Sequence, residues 1–263
     1  MIRMRTSNIS WRFVSVWQRN LIVYRKIWKV NFLVPLLEPA FYILAFGLGF
    51  QGLIQGLNYG GKALTYTQFM APALIAISIM YNAFFETTYA SFVRMYYQKT
   101  FDGMMTTPLS LEEIILAEIV WSATKATAAA TVMTLVLGLL GFVSFPQGLL
   151  IVPLAFLGGL AFGAVGMFFT GITPSIDMFN LPIFLFITPM FLFSGTFFPV
   201  AGLPAWAQQV ALVFPLYHLV ELTRACTLGL METHPLVSLA YLLLFALCFL
   251  GLGLTAMRRR LIK

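Results

Sequence analysis

The chain has 263 residues, 60% hydrophobic and 10% charged, with a formal net charge of +7 and a mean hydropathy of +0.89. Soluble domains carry roughly 25% charged residues, so this composition excludes a water-soluble globular fold and makes the bilayer the solvent. The basic excess gathers at the two ends, a pattern of membrane orientation rather than of nucleic-acid binding.

Residues 8–29 read as an amphipathic helix. Trp11, Val14, Trp17, Leu21, Tyr24 and Trp28 fall at three- and four-residue spacing, while Arg12, Arg19 and Lys26 repeat every seven on another side. A basic helix edged with tryptophan suits the headgroup region; a helix packed on a partner is the alternative. Seven Lys/Arg among the first 29 residues interrupt any apolar run, which predicts no cleavable signal peptide.

Six spans are predicted at 31–50, 68–91, 112–141, 149–172, 180–198 and 235–257, each near the ~20 residues a bilayer requires. The expected fold is therefore all-α and membrane-embedded, a single domain over 1–263. It comprises an interfacial helix (1–30), spans one to five (31–198), a re-entrant segment (199–234), span six (235–257) and a tail (258–263). Thirteen of the sixteen Lys/Arg lie in the N-terminal arm, the 92–111 connection and the tail, which predicts cytoplasmic termini.

Glu38 and Glu86 fall within spans one and two, where carboxylates are costly and hence candidate polar sites. Pro35 and Pro39 flank Glu38, so broken helix geometry there gives that carboxylate an equally good structural role. In the 92–111 connection, Gly103 and Pro108 leave room for a short helix over 94–102. Its mixed polar and aromatic residues (Tyr96, Tyr97, Lys99, Thr100, Phe101, Asp102) suit docking to a soluble partner, or a plain connector. Ser110 with Glu113 forms a capping-box pattern that starts the next helix at Leu111. Glu112, Glu113 and Glu118 put its first turns outside the hydrocarbon, and Lys125 can snorkel back to the same face.

Between 199 and 229, Pro204 and Pro215 each suit a first helical turn, and neither apolar piece is long enough to span. The pair is expected to dip into the outer leaflet and return. His218, Glu221 and Arg224 recur every third residue, a row in which Glu221 and Arg224 can neutralise each other. Aromatics at 41–50, 84–97 and 184–198 are available to stack on sugars or acyl chains, or simply face lipid. No Walker-type phosphate loop, HExxH or GxSxG occurs, the histidines are His218 and His234, and Cys226 and Cys248 lack metal-ligand spacing. No catalytic, metal or cofactor site is expected on this chain.

The layout and four stretches carry a resemblance: "AEIVWSATKATAAAT" (117–131), "GITPSIDMFN" (171–180), "ITPMFLFSGTFFPVAGLP" (187–204) and "FPLYHLVELTRACTLG" (214–229). They resemble the membrane subunit of type-2 ABC exporters, and within that superfamily the nodulation protein J branch. The resemblance implies a homodimer in the bacterial inner membrane and two copies of a separate ATP-binding cassette subunit, which would hold ATP and Mg. It makes 94–102 the coupling helix and His218, Glu221 and Arg224 part of an outer gate. The implied cargo is an amphiphile: a lipo-oligosaccharide, a lipid-linked polysaccharide, a lipid or a drug. Two other readings stay open. An ion-coupled secondary transporter would want inverted repeats and midplane ionisable groups. A lipid-modifying membrane enzyme would want a catalytic cluster at one face.

Overall fold

A computed structural model of the chain describes residues 10–42, 45, 49 and 56–262. The N-terminal helix α1 (Phe13–Tyr42) is continuous and bends at Ile27, where φ is −117° and ψ 15°. The expected boundary near residue 30 is thus a kink. Residues 13–34 contain neither Gly nor Pro, so nothing in them terminates a helix. The first half of α1 packs along a later helix: Val16 is buried, and the Trp17 indole donates to Thr124 Oγ1 at 3.0 Å. Trp11 and Trp28 remain exposed. The rest of the predicted first span, and the side chain of Glu38, lie outside the described residues.

A short antiparallel hairpin, β1 (Leu57–Tyr59) and β2 (Lys62–Leu64), interrupts the all-helical expectation. Gly60 and Gly61, at φ +57° and +77°, form its two-residue turn. Positive φ at both central residues matches the twist of the flanking strands and favours glycine.

Thr65 then caps helix α2 (Tyr66–Tyr97) through a capping box with Gln68. This helix outruns the predicted 68–91, taking π turns at Glu86–Ala90 and Val93–Tyr97. It stops where Lys99 adopts φ +53°, a left-handed conformation that no helix continues through. A short helix α3 (Thr100–Met105) follows. Helix α4 (Leu111–Leu139) begins at the expected Ser110–Glu113 capping box. Then come α5 (Gln147–Ile172) and α6 (Ile176–Phe193), the paired short helices α7 (Ala205–Val213) and α8 (Pro215–Leu228), and α9 (Pro235–Leu261). Helix α8 begins at Pro215 as expected, while α7 begins at Ala205 with Pro204 as its N-cap.

Among the described residues, five helices (α2, α4, α5, α6 and α9) are long and apolar enough to cross a membrane. The chain is a multi-pass, predominantly helical membrane protein. Helix α5 packs against α2, α4 and α9. Its closeness to α4 depends on Gly159: a Cβ there would sit 2.6 Å from the Ala123 Cα. Small residues of this kind let helix backbones approach where no hydrophobic force drives association. One core cluster fills the half of the bundle near the hairpin, around Phe69, Ile79, Phe84, Phe162 and Leu219. A second, around Val16, Phe92, Phe101, Ile115 and Met257, fills the end that carries α3. Helices α6 and α9 leave much of their apolar surface uncovered, including Phe184, Leu185, Leu244 and Leu247.

Candidate functional site

The first candidate is the α3 end. The short helix sits at 100–105, later than the expected 94–102, because α2 continues to Tyr97 before Lys99 breaks it. Gly103, taken as punctuation, lies inside α3 with open space around it. The predicted contact residues divide into two groups. Tyr96, Tyr97, Lys99 and Asp102 are exposed, Tyr97 by 61%, and Thr100 is half-buried. Phe101 is fully buried among Val16, Phe92 and Met104, so it anchors α3 instead of facing a partner. The Lys99–Asp102 pair, at 3.9 Å and in solvent, adds little stability.

Behind this surface lies a buried charge network that sequence reading missed. Glu86, on the first π turn of α2, meets Arg94 at 2.9 Å, Lys125 Nζ at 2.7 Å and the Trp121 indole N–H at 3.1 Å. Lys125 therefore turns to Glu86 instead of to the membrane face. Glu118 is buried too, and does not mark an immersed first turn. It accepts from Ser91 Oγ at 2.6 Å, Asn20 Nδ2 at 2.9 Å and Arg94 Nε at 3.0 Å. The π turns set this register: they widen the helix locally, and both Glu86 and Arg94 stand on them. Helices α2 and α4 are thereby joined by paired charges, the arrangement that makes buried ions tolerable, and α1 adds the neutral Asn20 amide. Ser10 is tied to the same helix start, its N–H and hydroxyl donating to Glu113 Oε1 at 2.9 and 2.6 Å.

The network borders a cavity of about 1060 Å³. Arg19, Asn20, Arg94 and Gln98 line it toward α3, while Tyr81, Phe85 and Ile183 line it deeper in the bundle. Arg19 and Asn20 carried no sequence signal beyond the heptad of basic residues on α1.

The second candidate is the hairpin end. Glu221 and Arg224 are both about 1% exposed and pair at 3.3 Å. Glu221 also accepts from the Tyr59 hydroxyl and from the Glu232 backbone N–H at 2.9 Å. Arg224 donates to the Gly195 carbonyl at 2.6 Å and lies over the Phe69 ring at 3.9 Å. Burial raises the Tyr59 phenol above its ordinary range, so it remains a donor to the carboxylate. His218 departs from the expected row. Its Nδ1 meets Ser238 Oγ at 3.0 Å, its Nε2 meets the Leu212 carbonyl at 2.9 Å, and its ring stacks on Tyr241. It joins α8 to α9, not to the charge pair. The Gly-Gly turn that delivers Tyr59 was the one available signal for its role.

Tyr59→Phe tests this lock. The ring and its cation-π contact stay while the buried carboxylate loses one donor. That should lower stability by about 1–3 kcal/mol, read as a fall in the thermal midpoint of the detergent-solubilised chain. An unchanged midpoint would mean the hydroxyl bond contributes nothing.

No group of three or more His, Cys, Asp or Glu suited to a metal occurs among the described residues. Comparison with known sequences bears on both ends of the bundle. The profile of the family described as "ABC-2 type transporter" matches residues 12–228, from the start of α1 through α8. "Nodulation protein J" of Rhizobium leguminosarum bv. trifolii is 37% identical over 258 residues, covering 97% of this chain and 95% of that protein. "Nodulation protein J" of Sinorhizobium fredii (strain NBRC 101917 / NGR234) is 34% identical over 255 residues, 96% of this chain and 95% of that protein. A more distant relative, "Probable multidrug ABC transporter permease YbhR" of Escherichia coli (strain K12), is 25% identical over 169 residues. That match spans 64% of this chain and 45% of that protein.

Proposed function

The chain belongs to the ABC-2 type transporter family, and we propose that it is the permease of an ATP-driven exporter that moves an amphiphile out of the cytoplasm. It is a transport subunit and not an enzyme. The observation that carries the proposal is the family match, continuous from α1 through α8. Family membership implies association with an ATP-binding subunit. On this reading two copies of that subunit serve a homodimer of this chain and hold the ATP and Mg. The dimer resides in the bacterial inner membrane with both termini cytoplasmic, an orientation supported by the distribution of Lys and Arg. The apolar sequence of 31–50 supports a further span there, and α7 with α8 forms a re-entrant pair at the outer face.

Helix α3 is the proposed contact with the ATP-binding subunit. Its support is the exposed surface where α2 ends and α3 begins, with Tyr96 and Tyr97 on the last turn of α2, Lys99 in the link and Asp102 on α3, which buried Phe101 anchors. Force applied there is transmitted along α2 to the Glu86–Arg94–Glu118 network. The name of one relative, a probable multidrug permease, is in keeping with drugs as one class of cargo. The paired state of Glu86 suits a fixed structural ion pair better than the titrating carboxylate an ion-coupled carrier would need.

A cysteine or photo-crosslinker placed at Tyr97 tests the contact. In native membranes it should capture an ATP-binding subunit; failure to capture one, with the same probe at Leu185 as the control, would remove the corner between α2 and α3 from the interface.

A further inference from the structure

We propose that the cavity beside the Glu86 network is a binding site for an amphiphile whose polar head carries a phosphate. The inference rests on the exporter reading for the purpose of binding, but its evidence is the chemistry of the cavity wall.

Charge is the first argument. Arg19, Arg94 and Lys125 face the cavity, and the carboxylates paired with this group are Glu86 and Glu118. Among the described residues one positive charge is left over. It belongs to Arg19, which is half-buried and whose described partner is the Asn20 amide oxygen at 3.0 Å. A cation partly removed from water favours a counter-anion. The second argument is donor geometry. The Arg19 guanidinium is a planar fork suited to two oxygens of one anion. The Lys125 ammonium has three donors, and its described hydrogen bond uses one of them, on Glu86. Arg19 from α1 and Lys125 from α4 line the same cavity, so two helices offer cationic donors to an oxyanion-bearing ligand there.

The third argument is the gradient along the cavity. Gln98 lies at its α3 end and Tyr81 deep in the bundle, about 25 Å apart along α2. The charged groups occupy the first part; deeper in, the Asn82 amide, bonded to the Ser78 carbonyl, stands among the rings of Tyr81 and Phe85. The rings of Tyr24 and Trp121 stand beside the charge network, and Phe85 with Ile183 continues inward. A head with an oxyanion, then a sugar or glycerol body, then an acyl chain would meet matching surfaces in that order. Neither a free ion nor a wholly apolar molecule uses the whole length.

The test uses the full chain in phosphatidylcholine nanodiscs without any ATP-binding subunit, with tryptophan emission as the readout because Trp121 lines the site. Dodecyl phosphate should bind saturably beyond its partition into empty nanodiscs. Inorganic phosphate and neutral dodecyl maltoside should bind at least about tenfold more weakly, since each lacks half of the recognised chemistry. Arg19→Gln should raise the half-saturation for dodecyl phosphate by about tenfold or more. Arg19→Lys, keeping the charge but losing the fork, should bind more tightly than the glutamine variant and more weakly than the parent, which guards against a misfolded glutamine variant. Arg258→Gln, on the exposed tail, should change nothing. Unchanged binding in Arg19→Gln would overturn the proposal. So would dodecyl maltoside binding as tightly as dodecyl phosphate, or inorganic phosphate doing so, which would leave an ion site with no amphiphile recognition. Because no ATP-binding subunit takes part, failure of the exporter reading would appear elsewhere, as a missing partner.

Discussion

Arg94→Ala should leave a chain that inserts but does not hold its fold in detergent. Among the described residues, Arg94 is the one group that bonds both Glu86 and Glu118. Without it Glu86 keeps Lys125 and Trp121, and Glu118 keeps only the neutral donors Ser91 and Asn20. Breaking a buried pair by removing one partner costs about 3–5 kcal/mol, a large share of the 5–15 kcal/mol that stabilises a typical protein. The thermal midpoint of the full chain, followed by size-exclusion after heating, should fall steeply. Glu118→Gln added to Arg94→Ala should restore part of the loss by removing the worst-placed charge. A single variant as stable as the parent would mean the network carries no stability.

The second large effect is functional. Tyr97→Ala combined with Asp102→Lys alters two exposed side chains of the proposed docking surface, so stability should stay within about 0.5 kcal/mol of the parent. Coupling of ATP hydrolysis to transport should fall by about tenfold or more, because interface residues such as tyrosine carry disproportionate binding energy. Phe101→Ala should do the opposite: lose stability, by about 3–5 kcal/mol for a buried phenylalanine, before any specific loss of coupling. Sequence alone grouped Phe101 with the docking residues; its burial separates them. Coupling intact in the double variant, with complexes still formed, would place the force-bearing contact elsewhere.

How far the fold was legible depended on whether the signal was local. The capping box at Ser110 and Glu113, and the prolines opening α7 and α8, act over three or four residues, and each located its helix correctly. The all-helical membrane class followed from composition. Helix ends set by a single unusual backbone conformation were not legible: Lys99 in the left-handed region carries no sequence mark, and α3 consequently lies at 100–105. Long-range pairing was less legible still. Glu86 and Glu221 stood out, and the nearby partner Arg224 was legible, but Trp121 and Lys125 lie 35 and 39 positions from Glu86, and Tyr59 lies 162 from Glu221. Arg94 looked like an orientation signal and Lys125 like a snorkelling stem, while Tyr59 drew no reading. His218 shared a three-residue spacing with Glu221 and Arg224, yet the neighbouring helix α9 offered Ser238 and Tyr241, and packing overrode the row.

The central claim is that this chain is the membrane half of an ATP-driven machine. The most direct measurement is purification from native membranes in mild detergent, identifying bound proteins by mass spectrometry and assaying vanadate-sensitive ATP hydrolysis on the purified complex. A stoichiometric ATP-binding subunit with vanadate-sensitive turnover is the predicted result. A chain that purifies alone, remains alone after crosslinking in the membrane and shows no such hydrolysis would contradict it.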